Sequence, residues 1–402
     1  MRTYESWWFL LTWVFNFPRN TSTTATLEAA LPMQSKGNNY SKSQRFAMSS
    51  FLGVSVWFLL VLHYVAAVMD CHPGCRCEVE SFGLFHSFSL TRVDCSGVGR
   101  GHGLVVPISI PLDTSSLDLS SSAIHTIADS MLSGPGYTTL ASLDLSNNLL
   151  SRLNSSIFSR LRYLETLDLS HNTLEELAPG CFSGLPLAEV DLSGNRLQEV
   201  NLEVFSNKGH GAGPLNVDLS NNLLNTVTTR DPQVLSPPNI QSLSLAGNRL
   251  RAVPKLQGLP LRSLSLDGNP ILSIERHSFT GLRDLAYLSL SGLSELTSIQ
   301  LQSFSELSSL QVLDLSHNSR LRPLNPEVFS GLAALQELNL SNSGVVSLPS
   351  NILNLLPSIK SIVLREKVNC WKTHRQVQFH RQIGGQSTRG EELTCDVIGI
   401  VL

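Results

Sequence analysis

The chain has 402 residues, of which 42% are hydrophobic and only 15% charged, so it holds ample material for a core and does not read as intrinsically disordered. A formal charge of -3 and a pI near 6.4 leave no basic excess to neutralise phosphates, which argues against a general nucleic-acid binder, and no nucleic-acid partner is expected.

Residues 1–47 form an N-terminal extension with an aromatic run, WWFLLTWVFNF from Trp7 to Phe17, followed by a Ser/Thr-rich stretch to which no role can be assigned. Met48 then opens a segment of ordinary signal-peptide length. Its apolar run from Phe51 to Met69 follows Lys42 and Arg45 and places Val65 and Ala67 at the minus-three and minus-one positions of a cleavage site. Residues 48–67 are therefore expected to be a signal peptide, with a mature start near Val68 and no membrane span in the mature chain. An uncleaved anchor is the rival reading, since the 19 residues of the run just suffice to cross a bilayer; His63 and Tyr64 weigh against it.

A first cysteine cluster lies in residues 68–113 and reads C-x3-C-x-C-x17-C from Cys71 through Cys75 and Cys77 to Cys95. A second, Cys370 and Cys395 with 24 residues between them, lies in residues 367–402. Even-numbered clusters flanking a cysteine-poor middle read as disulfide frameworks of an oxidising compartment, although spacing alone allows three pairings of the first four. Closing a loop the size of the second is worth about 3.5 kcal/mol on the chain-entropy model. Cys181 is left over and reads as a buried apolar thiol.

Between the clusters, over residues 114–366, one phrase recurs whose template is the leucine-rich repeat L-x-x-L-x-L-x-x-N-x-L. Leu164, Leu167, Leu169, Asn172 and Leu174 match it fully, as do Leu140, Leu143, Leu145, Asn148 and Leu150. The second apolar position falls at Leu117, Leu143, Leu167, Val190, Val217, Leu243, Leu264, Leu288, Leu313, Leu338 and Ile362, which makes eleven units averaging about 24.5 residues. Alternation in L-x-L gives a short strand whose leucines point one way, and a strand that cannot bury them alone must stack in parallel on its neighbours, with capped ends. The expected fold is an α/β-type leucine-rich-repeat solenoid. It should carry parallel strands on the concave face, loops and short 3-10 or helical turns on the convex face, and a disulfide cap at each end. Phe158, Phe182, Phe205, Phe279, Phe304 and Phe329 fall late in their units and are expected to fill the convex half of the core.

The recurring asparagines, Asn148, Asn172, Asn195, Asn222, Asn248, Asn269 and Asn318, offer donors and an acceptor to backbone that turns inward, and are read as a structural ladder. Ser122, Leu293 and Ser343 replace this asparagine in the first, eighth and tenth units. The eighth unit, LSLSGLSELTSI, is the least regular and is expected to distort locally; the ninth carries one extra residue before Leu321. No nucleophile with a base, carboxylate pair in a cleft or metal cluster emerges, so neither an enzyme nor a cofactor nor a metal is expected. His171 and His317 sit at surface turns, and GVGRGHG from Gly97 to Gly103 lacks the strand and helix of a dinucleotide loop.

The 17-residue gap before Cys95, the opening CHPGCRCEVESFGLF, and the phrases GPGYTTLASLDLSNNLL and FSRLRYLETLDLSHN give the chain a specific likeness. It resembles the small leucine-rich-repeat proteins and proteoglycans of the extracellular matrix, in an outlying, non-collagenous class. The resemblance implies that Cys71 pairs with Cys77 and Cys75 with Cys95. It also implies a secreted modulator of developmental signals that antagonises bone morphogenetic protein together with chordin and interferes with Wnt signalling at Frizzled-type receptors. The N-terminal extension departs from the family pattern. A structural matrix role, binding collagen or heparan sulfate, is the alternative.

One outward position within the strands is aspartate in five successive units, Asp118, Asp144, Asp168, Asp191 and Asp218, after which it becomes Ser244, Ser265, Ser289, Asp314 and Asn339. At strand spacing, neighbouring charges repel by at most about 0.9 kcal/mol per pair in water, a cost that a cationic partner would relieve. The five aspartates are read either as a strip that docks basic protein surface or as ordinary repeat grammar that keeps the concave face wet. Lys360, Arg365, Lys367, Lys372, Arg375 and Arg381 make the C-terminal end cationic, as a solvated cap or a heparan sulfate contact. Asn154 and Asn339 carry N-x-S sequons within the repeats, the first on a connecting segment and the second on the concave face; Asn20 and Asn39 also fit but precede the signal. Without an acidic tail, no glycosaminoglycan chain is expected at Ser96 and its following glycine.

Overall fold

In each unit the apolar L-x-L core forms a strand of three to five residues, with its middle leucine buried and its flanking residues turned to the concave side. Strands Ser142–Asp144 and Thr166–Asp168 are typical. A computed structural model describes residues 71–82, 88–99, 108–128, 131–206, 213–229, 237–345, 348, 352–365, 368–374 and 391–397. The extension, the signal segment, Lys367, Arg375 and Arg381 lie outside the described residues.

The strands join one sheet in chain order. Leu117 lies against Leu143, Leu143 against Leu167, and so on through Leu313 against Leu338 and Leu338 against Ile362, all in parallel. Both ends finish in antiparallel hairpins. Arg76–Phe82 pairs with Phe88–Asp94 at the front, while Ser361–Arg365, Val368–His374 and Glu391–Val397 close the back. A sheet made of repeats ends with unsatisfied backbone at both edges, and the hairpins supply the missing partners.

The first cap is held by two disulfides, Cys71 to Cys77 with Cα atoms 5.9 Å apart and Cys75 to Cys95 at 4.3 Å. In the second, Cys370 is buried and disulfide-bonded, and Cys395 stands directly opposite it in the strand register. Cys181 is free and 2% exposed, and burial pushes its thiol up to about 12.

Inside the sheet the leucines form one continuous apolar column, backed by the phenylalanine row, and all six phenylalanines are buried. Phe158, Phe182 and Phe205 stack with centroids 6.3 and 5.4 Å apart; Phe279 and Phe304 form a second stack at 5.7 Å. Among the described residues, short 3-10 turns, Pro135–Thr139, Leu202–Phe205 and Pro326–Phe329, a helix, Ile352–Leu355, and two-stranded ladders return the chain along the convex side.

The asparagines fill one repeated role. Asn172 Nδ2 donates to the carbonyls of Leu145, Leu169 and Ser170 at 2.9, 3.1 and 3.1 Å, and its Oδ1 accepts the Leu150 N–H at 3.0 Å. One side chain thus satisfies backbone of two adjacent units. Asn148, Asn195, Asn222, Asn248, Asn269 and Asn318 make corresponding bonds. The residue before each asparagine adopts a left-handed conformation, which explains why it is Gly, Asn or His: φ is 54° at Asn147, 51° at His171, 66° at Gly194 and 57° at His317.

The departures from the template cost the backbone little. Ser122 Oγ donates to the Cys95 and Ser120 carbonyls, and Ser343 Oγ to the Leu340 carbonyl, so a single hydroxyl does part of the asparagine's work. The distortion expected in the eighth unit is not there: Leu288 pairs with Leu264 and Leu313 without a slip. The reason is that Leu293 is fully buried in the core, while Asn318 of the next unit still caps its N–H at 2.7 Å. Register shifts occur instead at the two caps and between Ile240 and Ser242. The extra residue of the ninth unit is absorbed in a turn that keeps Leu321 buried and leaves Arg320 outside, paired with Glu295 at 3.3 Å.

Candidate functional site

The parallel register sets the five aspartates side by side on the concave face. Asp118 lies against Asp144, Asp144 against Asp168, Asp168 against Asp191 and Asp191 against Asp218, all partly exposed. The column is one residue longer than the repeats suggest, because cap strand Phe88–Asp94 pairs in parallel with Thr114–Asp118 and brings Asp94 against Asp118. The signal for this lay in the sequence: Leu90, Val93 and Cys95 have the L-x-x-L-x-L spacing, with a cysteine where the last leucine belongs. Glu165 and Glu189, exposed beside the column, add to its charge.

Each aspartate also serves the fold. Its Oδ1 accepts the backbone N–H two residues on, at 2.7 Å for Asp118 and 2.8 Å for Asp144, Asp168, Asp191 and Asp218. A carboxylate has acceptor capacity to spare after one such bond. Each residue is therefore both a turn cap and a charge presented to the concave side, and the two readings of the column are compatible. Electrostatically its members differ. Side-chain and backbone hydrogen bonds from Ser96 hold Asp94 below the ordinary carboxylate value, against slight burial and with help from Arg76. Burial raises Asp144; bonds from Ser146 oppose this, and the charges of Asp168 and Asp118 add to it.

After Asp218 the acid leaves the strand position. Asp267, two residues beyond Ser265, accepts instead from Ser265 Oγ, from Ser289 Oγ at 2.6 Å and from the Ser291 N–H at 2.7 Å. Asp314 and Asn339 resume the column, and Asn339 Nδ2 donates to Asp314 Oδ2 at 3.1 Å while its Oδ1 accepts from Ser341. The nitrogen that a glycan would occupy is thus the one directed at Asp314. Asn154 is exposed on a convex connection. Tyr287, 41% exposed between Ser263 and Val312, was not marked by the repeat template, because its position tolerates any residue. Of the cationic end, Lys360 Nζ donates to Gln336 Oε1 at 2.6 Å. Among the described residues, no helix is long and apolar enough to cross a membrane, and no group of three or more His, Cys, Asp or Glu is placed to hold a metal ion.

Comparison with known proteins agrees with this architecture. The leucine rich repeat family model matches residues 138–197, 259–319 and 292–345. The chain is 58% identical to Tsukushi of Gallus gallus over 330 residues, 82% of this chain and 88% of that one. It is 57% identical to Tsukushi of Danio rerio over 344 residues (86% and 97%) and 50% identical to Tsukushi of Homo sapiens over 332 (82% and 93%). With identities this high over nearly the whole length of these relatives, and with the repeats and first cap built as described, the chain belongs to the Tsukushi family of leucine-rich-repeat proteins.

Proposed function

We propose that the chain is a secreted extracellular binding protein that modulates developmental growth-factor signalling, without chemistry of its own, through the N-terminal half of its concave face. The observation that carries this is the row of six in-register carboxylates from Asp94 to Asp218, each at least partly exposed to a partner. Such a row attracts basic protein surface, speeds encounter and disfavours acidic competitors. Secretion is supported by the apolar run before the first cap and by disulfides that need an oxidising compartment. The partners that the family resemblance implies are bone morphogenetic proteins acting with chordin, and a Frizzled-type receptor.

Two assays on purified chain test the reading together. A modulator of this kind lowers reporter output from bone morphogenetic protein and leaves the turbidity of assembling collagen fibrils unchanged. Altered fibril turbidity with an unmoved reporter is the outcome for a matrix protein that binds collagen or heparan sulfate, and it would overturn the proposal.

A further inference from the structure

The convex side of the seventh to ninth units holds a groove of about 750 Å³ whose features the repeat template does not require. Its wall on one side is Arg276, on the other Arg322, and between them runs Thr297–Gln302 with Leu301 48% exposed. Ladder Ser273–Ile274 against Ser298–Ile299 is not extended as a strand into the next unit, where Pro323 stands in the corresponding place and the Arg322 N–H alone carries the pattern on, to the Thr297 carbonyl at 3.2 Å.

The local carboxylates are already engaged. Glu275 accepts from Ser273 Oγ and from Gln300 Nε2, and Glu295 pairs with Arg320. Arg276 and Arg322, both exposed, make no ion pair among the described residues.

A second observation points to the same groove. Two residues before the buried phenylalanine, three units make the same left-handed turn, with the carbonyl of that residue accepting an N–H three residues on: Gly180 before Phe182, His277 before Phe279 and Gln302 before Phe304. In the third unit glycine makes it without strain, with φ 76°, whereas His277 and Gln302 hold φ 65° and 62° with full side chains. Histidine takes the same conformation at the ordinary turns of His171 and His317, so of the two it is Gln302, a long side chain in the left-handed region, that carries a conformational cost, and Gln302 lines the groove.

The geometry points to a binding site for an extended acidic peptide segment, separate from the concave face. Arg276 and Arg322 flank the middle unit and so stand about two strand spacings, roughly 10 Å, apart, which an extended chain covers in about three residues. The ligand would carry carboxylates two or three positions apart on either side of an apolar residue that covers Leu301, with each guanidinium taking one carboxylate in a forked pair. A sulfated glycan is the less favoured occupant, because the floor is Leu301, Pro323 and Leu324 and only two cations line it.

Selection of a displayed random-peptide library on the intact secreted chain, counter-selected on R276Q/R322Q, tests the assignment. Peptides with paired acidic residues around an apolar one are expected. Their affinity should fall at least about tenfold in R276Q/R322Q, with an unchanged melting temperature, and should be unaffected in D144N/D168N/D191N. Gln302→Gly should raise the melting temperature by relieving the left-handed strain and still weaken the peptides. Absence of acidic enrichment, or equal binding to R276Q/R322Q, overturns the assignment. So does a heparin oligosaccharide that binds through the two arginines when no acidic peptide does. Unchanged binding by the Gln302→Gly chain would contradict the role given to the strained side chain.

Discussion

Units up to Asp218 and units after it share one backbone and carry different surfaces. Between residues 108 and 229 thirteen carboxylates stand against five Lys and Arg; between residues 237 and 345 the numbers are eight and eight. The change in charge coincides with a change inside, since the stack Phe158, Phe182, Phe205 ends before it and the stack Phe279, Phe304 begins after it. Strand register passes through this junction with one shift, between Ile240 and Ser242. The lesson is that the leucines and asparagines specify the solenoid, while the charge of the aspartate column is an addition the fold can do without. Ser244 and Ser265 occupy the same position in well-formed strands.

The two halves can be set against each other first through their cores. Phe182→Ala removes the middle ring of the longer stack and should cost about 4 kcal/mol, with Phe304→Ala costing a similar amount. In urea the first should destabilise the N-terminal units and the second the C-terminal ones, as nearest-neighbour coupling in a solenoid requires. Identical unfolding profiles for the two variants would show that the halves do not separate. Next in size is Asn195→Ala, about 2 to 3 kcal/mol. It strands the Leu174 N–H and the carbonyls of Leu169 and Leu192 in the interior. A loss below about 0.5 kcal/mol would mean that water replaces the amide.

How far these features could be read in advance follows from the same contrast. Leucine spacing, the asparagine ladder and the phenylalanine row were legible because each is forced by burial at a fixed period. Asp94 was not, because Cys95 replaces the leucine that would have marked its strand. The regularity of the eighth unit is not legible from its missing asparagine, because that loss matters less when the residue in its place is an apolar one that still packs. The convex groove was invisible, since it depends on side chains two units apart in sequence, Arg276 and Arg322, lining one space.

A smaller effect distinguishes members of the acidic column. For Asp144 the folded carboxyl binds its proton more tightly than the unfolded one, so stability falls as pH rises from the ordinary carboxylate value through the raised one and is flat above it. Asp144→Asn should therefore be neutral or slightly stabilising at neutral pH. Asp94, lowered by Ser96, contributes stability above the ordinary value that is lost as pH falls through its folded one, and Asp94→Asn should remove it. Acid titrations of the two variants showing the same sign would contradict the assignment. Smallest of all is the change expected at Cys181. With its thiol buried and pushed up to about 12, it should resist iodoacetamide in the native chain and react only on unfolding; rapid native alkylation would mean the third unit opens.

The claim that the acidic half binds the partner is tested most directly by the affinity of bone morphogenetic protein for the chain and for D144N/D168N/D191N over a salt series. Asparagine keeps the Oδ1 that caps each turn, so only charge is removed. The account predicts weaker binding and a flatter salt dependence in the variant; unchanged affinity at low salt would contradict it.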